Sequence, residues 1–399
     1  MSLKKRLFEA WSIKPLSEKA ARDGVHRGGI DRGFLLVVLL MLAFGTAMSY
    51  SASSVYGKEF YGDSFYFFKR YLLFALLSVG ATVPFVLFAT PAFWRGFGVF
   101  LYACSLALLL LVLLIGTVGG GAQRWLVLGP ITVQPSEIAK LALLMVLALM
   151  LSKYEREITS LKKGGGSFRF GVLMPGGLIG TVCVLVAAEK HISGLLIIAM
   201  LGVCMMFLGG TRIRYLGMMA GVVAAAGCLL ILVSSYAQVR VDTWLHIEEV
   251  DPLGAAWQTL QGLYAIGSGG LFGKGFGGSQ QKYGYVSQPQ NDFIFTVICE
   301  ELGFLGALLT VLLFVLLFFR GFRIAAHAPD RFCSLLVYGI SLKLALQAVL
   351  NIAVVTNSMP NTGVSLPFFS SGGTFLAMQI FEMGIVLSIS RYSTGRKSV

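Results

Sequence analysis

The sequence predicts an all-α polytopic membrane protein of about ten transmembrane helices, and three observations carry that prediction. Hydrophobic residues make up 56% of the 399-residue chain and charged residues 13%, which is too apolar for a water-soluble protein of this size. Runs of about 20 apolar residues, the length that crosses a hydrocarbon core of about 30 Å, recur from one end to the other. Lys and Arg are spread unevenly over the connections, as in a multi-pass protein that obeys the positive-inside rule.

Residues 1–33 form a basic and polar tail with no apparent cleavable signal peptide, expected to remain cytoplasmic. With Gly, Pro and charged clusters as punctuation, one membrane domain spans 34–390. Its helices are expected near 34–53, 70–90, 97–117, 136–152, 171–188, 193–210, 215–236, 291–319, 333–356 and 372–390. A short cytoplasmic tail, 391–399, follows. If the N-terminus is inside, 22 of the 32 Lys and Arg residues fall on inside segments and eight outside, while Lys140 and Lys343 lie within spans. Both termini are therefore expected in the cytoplasm. The net charge of +13 is explained by topology, so it gives no support to nucleic-acid binding. All six cysteines fall in apolar runs without C-x-x-C spacing and read as packed or lipid-facing thiols.

Two connections on the outer side are longer than the rest. One is 118–135. The other is a large extracytoplasmic loop, 237–291, between the seventh and eighth helices. It carries Trp244, the acidic group Glu248, Glu249 and Asp251, and a Gly-rich stretch from Gly267 to Gly278.

Polar residues at membrane depth are costly unless paired or hydrated, and four places stand out on that ground. The first is Gly120-Gly121-Ala122-Gln123-Arg124-Trp125, followed by Gln134-Pro135-Ser136-Glu137 and Lys140. Here Ser136 can cap the fourth helix, and Glu137 and Lys140 stand one turn apart on one face. They read either as a structural ion pair or as a polar wall for a charged headgroup. Arg124 beside Trp125 fits a phosphate contact and an aromatic belt equally.

The second place is Pro289-Gln290-Asn291-Asp292-Phe293-Ile294-Phe295, which opens the eighth helix. Asp292 reads either as a carboxylate favoured by the helix dipole or as a reactive group. At about 100° per residue, Glu300 lies about 80° from it and could border the same cavity, whereas Glu301 points away. The third place runs from Asn357-Ser358-Met359-Pro360-Asn361-Thr362-Gly363 into Leu366-Pro367-Phe368-Phe369-Ser370-Ser371-Gly372-Gly373. Such irregular backbone at membrane depth implies burial in protein or a wet groove. The fourth is Lys343, with Gln347 at i+4 and either Glu301 or Glu382 as its expected partner.

Taken in order, these motifs resemble those of the SEDS family (shape, elongation, division and sporulation; FtsW/RodA), and the match runs from about Tyr50 to Arg391. Asp63-Ser64-Phe65-Tyr66-Phe67-Phe68-Lys69-Arg70 and the long N-terminal tail are more similar to the cell-division branch than to the elongation branch. A sporulation role stays open. The resemblance implies a peptidoglycan glycosyltransferase of the bacterial cytoplasmic membrane, at the division septum. Such an enzyme polymerises lipid II into glycan strands by inverting transfer and releases undecaprenyl pyrophosphate.

It further implies Asp292 as the catalytic carboxylate, taking the proton of an acceptor hydroxyl. Arg124, Trp125, Glu137, Lys140, Glu300, Ser370 and Ser371 are implied as substrate-binding residues. Arg124 and Lys140, with Arg240 and Lys274 behind them, are the candidates to meet the pyrophosphate. The sequence establishes no cofactor. A divalent cation, Mg or Mn, could assist, although no cluster of ligands demands one. The implied partners are lipid II, the nascent strand, membrane lipids, a class B penicillin-binding protein and other division proteins.

Two positions depart from the family pattern. After the fifth helix a Pro-Asp-Leu-Gly-like turn is replaced by Glu189-Lys190-His191-Ile192-Ser193-Gly194, and Ser370-Ser371 replaces Ser-Tyr before the last helix. Two other functions compete with polymerisation. One is a lipid II flippase, which needs polar groups in both leaflets; the other is a non-catalytic scaffold that activates the transpeptidase.

Overall fold

In the computed structural model, which describes residues 28–119, 122–129, 131–159, 168–249, 254 and 256–392, each of the ten expected spans is helical. The N-terminal tail to residue 27, Gly120, Gly121, Lys162, Lys163, Asp251 and the tail from 393 lie outside the described residues. In chain order the helices are α1 (Arg32–Tyr61), α2 (Tyr66–Phe88), α3 (Pro91–Ile115), α4 (Pro135–Lys153) and the short α5 (Glu155–Thr159). They continue with α6 (Arg169–Ala188, whose first turn is π-helical), α7 (Ile192–Leu208) and α8 (Ile213–Val233). The series ends with α9 (Ser235–Leu245), α10 (Trp257–Ser268), α11 (Ile294–Ala326), α12 (Arg331–Val355) and α13 (Gly373–Ser390). Among the described residues eight helices are long and apolar enough to cross a membrane, and α7 and the Ile213–Leu229 part of α8 are shorter apolar helices. The chain is a polytopic α-helical membrane protein.

Burial separates the centre from the periphery. Over their most apolar windows α4, α13 and α12 are 83%, 72% and 67% buried, against 17% for α2 and 22% for α3. The outer helices keep apolar residues such as Leu76, Phe88 and Leu114 exposed, as lipid-facing surfaces do. The inner three bring the polar residues inside.

Three departures from the expected outline have local causes. Helix α1 continues through Ser51-Ala52-Ser53 to Tyr61, because these small residues are buried and Ser51 Oγ donates to the Glu301 carboxylate at 2.6 and 2.7 Å. It stops only at Gly62, whose φ of 71° closes the helix in the left-handed region. Helix α11 runs on to Ala326, so Arg320 and Arg323 lie in its last turns. The 118–135 connection is an antiparallel three-stranded sheet in the order β1 (Thr117–Gly119), β2 (Ala122–Leu128), β3 (Ile131–Val133). Leu126 pairs with Val133 and Leu128 with Ile131 across a turn at Gly129 (φ 61°).

The irregular segment before α13 is held inside the protein, as its depth demands. Phe368 and Phe369 are fully buried. The Phe368 N–H donates to Gln379 Oε1 at 2.8 Å, and Tyr71 donates to the Phe368 carbonyl. Gly45 of α1 faces that carbonyl so closely that a Cβ would lie 2.1 Å from the oxygen. The 237–291 loop holds α9 and α10, and its Gly-rich stretch docks on a break in α11. At that break Gly303 has φ 65° and ψ −162°. Lys274 and Gly275 donate their backbone N–H groups to the Glu300 and Glu301 carbonyls, both at 2.9 Å, and Phe304 N–H donates to Gly270 O at 2.9 Å.

Candidate active site

A cavity of about 480 Å³ opens where β2, the start of α4, the α6–α7 turn, α9 and the segment before α11 meet. Each wall has a local reason for its place. Strand alternation puts Arg124 on the same side as the buried Ala122 and Leu126. Pro135 starts α4 at its first turn, which sets Glu137 and Lys140 one turn apart beneath the sheet. Lys140 Nζ lies 2.6 Å from Glu137 Oε1, and the two side chains are 1% and 6% exposed.

Asp292 immediately precedes α11, whose N-cap position is Phe293. Its backbone is clamped: Asn351 Nδ2 donates to the Asp292 carbonyl at 2.7 Å and to the Val364 carbonyl at 2.6 Å. Ser370 Oγ donates to the Asn291 carbonyl at 2.7 Å, and Ser371 Oγ to Asn291 Oδ1 at 2.8 Å. On the far side Gly363 (φ 67°) comes so close that a Cβ there would sit 3.3 Å from Asp292 Oδ2. Burial holds the Asp292 carboxyl above the usual Asp range, while its own backbone N–H, Arg240 and Arg124 pull it back. A carboxylate so placed is both basic and held in position.

The structure brings Arg124, Trp125, Glu137, Lys140 and Asp292 to this one cavity, with Arg240 beside them. It does not bring Glu300. The expectation that Asp292 and Glu300 border one cavity is corrected. Glu300 accepts from Lys274 Nζ at 2.8 Å, from Ser279 Oγ, and from the Gln280 and Gln281 N–H groups at 3.0 and 3.3 Å. The Gly-rich stretch thus folds back to satisfy Glu300, and Lys274 and that stretch stand away from the cavity. Glu301 has the same kind of anchor in Lys282, at 2.9 Å. Ser370 and Ser371 do not themselves line the cavity; both donate to Asn291, which does, and so support the Asp292 segment from behind.

Ser136 is likewise not the cap of α4. Gln134 occupies that position without a side-chain bond, and Ser136 Oγ lies 3.3 Å from His191 Nδ1. Lys343 pairs with Glu382, one of its two expected partners.

His191 is a cavity residue that the sequence reading treated only as a departure from the family turn. Burial, then Arg124 and Lys140, drive its imidazole down to about 3, so it is neutral in the folded protein. Its polar setting was legible as Glu189-Lys190-His191 between two apolar runs, but contact with Ser136 was not. Among the described residues no three His, Cys, Asp or Glu side chains converge in a way that could hold a metal ion.

Fold and site together define a multi-pass membrane protein in which four cationic side chains, Arg124, Lys140, Lys190 and Arg240, and two carboxylates, Glu137 and Asp292, line a shared cavity. The sequence model for FtsW, RodA and SpoVE, described as "Cell cycle protein", matches residues 31–395, and the chain belongs to this family. Stage V sporulation protein E of Bacillus subtilis is 39% identical over 368 residues, covering 91% of this chain and 97% of that protein. A probable peptidoglycan glycosyltransferase FtsW of Trichlorobacter lovleyi is also 39% identical, over 365 residues, covering 90% of this chain and 93% of that protein. Among solved structures, a chain from a peptidoglycan synthase complex that coordinates polymerization and crosslinking superposes with a TM-score of 0.74. It is 28% identical, covering 92% of this chain and 99% of that one.

Proposed function

We propose that this protein is a peptidoglycan glycosyltransferase that polymerises lipid II, with Asp292 as its base. The observation that carries this reading is the desolvated Asp292 carboxylate in the same cavity as Arg124, Lys140 and Arg240. An acceptor sugar hydroxyl is a weak nucleophile. Asp292 takes its proton as the hydroxyl oxygen bonds to the donor's anomeric carbon, and the bond from that carbon to the pyrophosphate oxygen breaks. Charge then grows on the leaving pyrophosphate, and the three cations stabilise it. One displacement inverts the α-linked donor to a β-linked product, so no covalent enzyme intermediate is required. The described residues fit a divalent cation poorly, since no three protein ligands converge, and no step here uses one.

Lys and Arg placement supports both termini inside and the cavity outside, where lipid-linked donor and growing strand meet. The relatives support two settings equally, a sporulation protein and division-type glycosyltransferases at the same 39% identity. We assign the chain to septal wall synthesis, with the spore wall as the second reading; depletion in growing cells separates them by filamentation or by its absence. The similarity to a chain of a synthase complex supports a class B penicillin-binding protein as partner.

The test is polymerisation of lipid II by the purified complex with Asp292→Asn. The variant should keep its fold and its partner and make no glycan chains. Chains at the wild-type level would overturn the role of Asp292, and translocation of lipid II without any polymerisation by the wild type would favour a flippase.

A further inference from the structure

The cavity wall continues inward as a line of buried charges. Glu137 offers Oε1 to Lys140, and its Oε2 makes no hydrogen bond but lies 4.0 Å from Lys343 Nζ. Lys343 in turn pairs with Glu382 Oε1, and the second Glu382 oxygen has no hydrogen-bond partner. Lys343 and Glu382 are both fully buried, on α12 and α13, and neither lines the cavity. If this pair served packing alone, apolar residues of the same volume would do as well or better. Instead Lys343 is shared between two carboxylates, and one of them holds the cation that faces the cavity.

We propose that Lys343 and Glu382 are positioning residues that set, through Glu137, how much positive charge Lys140 presents to a pyrophosphate in the cavity. This rests on the reading of the site as a lipid-pyrophosphate glycosyltransferase. The chain Lys140, Glu137, Lys343, Glu382 alternates in sign and is balanced. Neutralising Glu382 leaves an excess positive charge, and Lys343 then draws Glu137 away from Lys140. Neutralising Lys343 leaves an excess negative charge, and Glu137 is then bound to Lys140 alone. The two substitutions therefore act on an anion in opposite directions, whereas loss of a packing contact would weaken binding in both.

The experiment measures equilibrium binding of undecaprenyl pyrophosphate to the full-length protein in detergent, and KM and kcat for lipid II in the complex. Glu382→Gln should tighten binding and Lys343→Gln should weaken it, each by about tenfold, with KM following more than kcat. The double variant Lys343→Met/Glu382→Met removes the pair without a stranded charge and should bind within about threefold of wild type. It also keeps the proposal testable if either single variant fails to fold. Shifts of the same sign in both single variants, no shift in either, or a double variant that folds but loses binding would overturn the proposal. A wild-type protein that binds the pyrophosphate lipid but polymerises nothing would instead overturn the glycosyltransferase reading, leaving this inference to be decided by the binding data.

Discussion

Lys140 Nζ lies 2.6 Å from Glu137 Oε1 one turn away on α4, and neither side chain is more than 6% exposed. In a site so dry, each charge depends on the other. Replacing Glu137 by Gln strands Lys140 next to Lys343, two cations with one fewer anion between them. The expected cost is about 3–5 kcal/mol of stability, read as a lower thermal unfolding midpoint in detergent, together with reduced polymerisation. An unchanged midpoint would mean that water reaches this pair and that the cavity is wetter than its burial implies.

Gly303 interrupts α11 with φ 65° and ψ −162°, a region closed to residues that carry a Cβ. An alanine Cβ there would meet Gly273 N at 2.4 Å and Leu271 O at 2.5 Å. Gly303→Ala should therefore undock the Gly-rich stretch that satisfies Glu300 and Glu301, at about 3 kcal/mol or more. Faster proteolytic cleavage between residues 270 and 282 would report the undocking. Equal cleavage of variant and wild type would show that the stretch is held by other contacts.

The same stretch marks where sequence reasoning reached its limit. Helical periodicity could place Glu300 about 80° from Asp292, yet it could not show that a glycine-rich segment from 20 to 30 residues upstream returns to satisfy that carboxylate. Long-range contacts of this kind leave no local period to read. The spans were legible because apolar runs are local, and so was the Glu137–Lys140 pair, which a single helical turn decides. Lys343 could be narrowed to two partners by the cost of an unpaired buried cation, and packing of α12 against α13 chose Glu382. His191 escaped because a buried neutral histidine makes no demand for a counter-ion that the sequence could reveal. The β2 strand escaped because it follows two glycines that read as loop and its partner strands are only three residues each.

His191 gives the site a dependence on pH that concerns stability and not chemistry. It is held neutral in the folded state, down to about 3, whereas an unfolded histidine binds its proton near 6.5. Its contribution to stability is therefore fully present above pH 6.5 and is lost as the pH falls towards 3. At pH 5 the loss is about 2 kcal/mol. His191→Gln removes this titration, so its unfolding midpoint should fall less between pH 7 and pH 5 than that of the wild type. An equal fall in both would show that His191 already exchanges protons with water in the folded state.

Asp292 carries the complementary dependence, this time on activity. As a base it works only when ionised, and burial raises its carboxyl above the usual Asp range, so the acid limb of the polymerisation profile should lie higher than for a solvated aspartate. Arg240 favours the ionised form, and Arg124 does so to a lesser degree. Arg240→Gln should therefore move the acid limb of kcat/KM upward, and Arg124→Gln should move it less. Both variants also lose a cation that meets the pyrophosphate, so their maximal rates fall as well. The position of the limb, not its height, is what identifies the base. A limb that stays in place when Arg240 is removed would mean that the titrating group lies outside this cavity, and Asp292 would then have to act by holding the substrate instead of taking its proton.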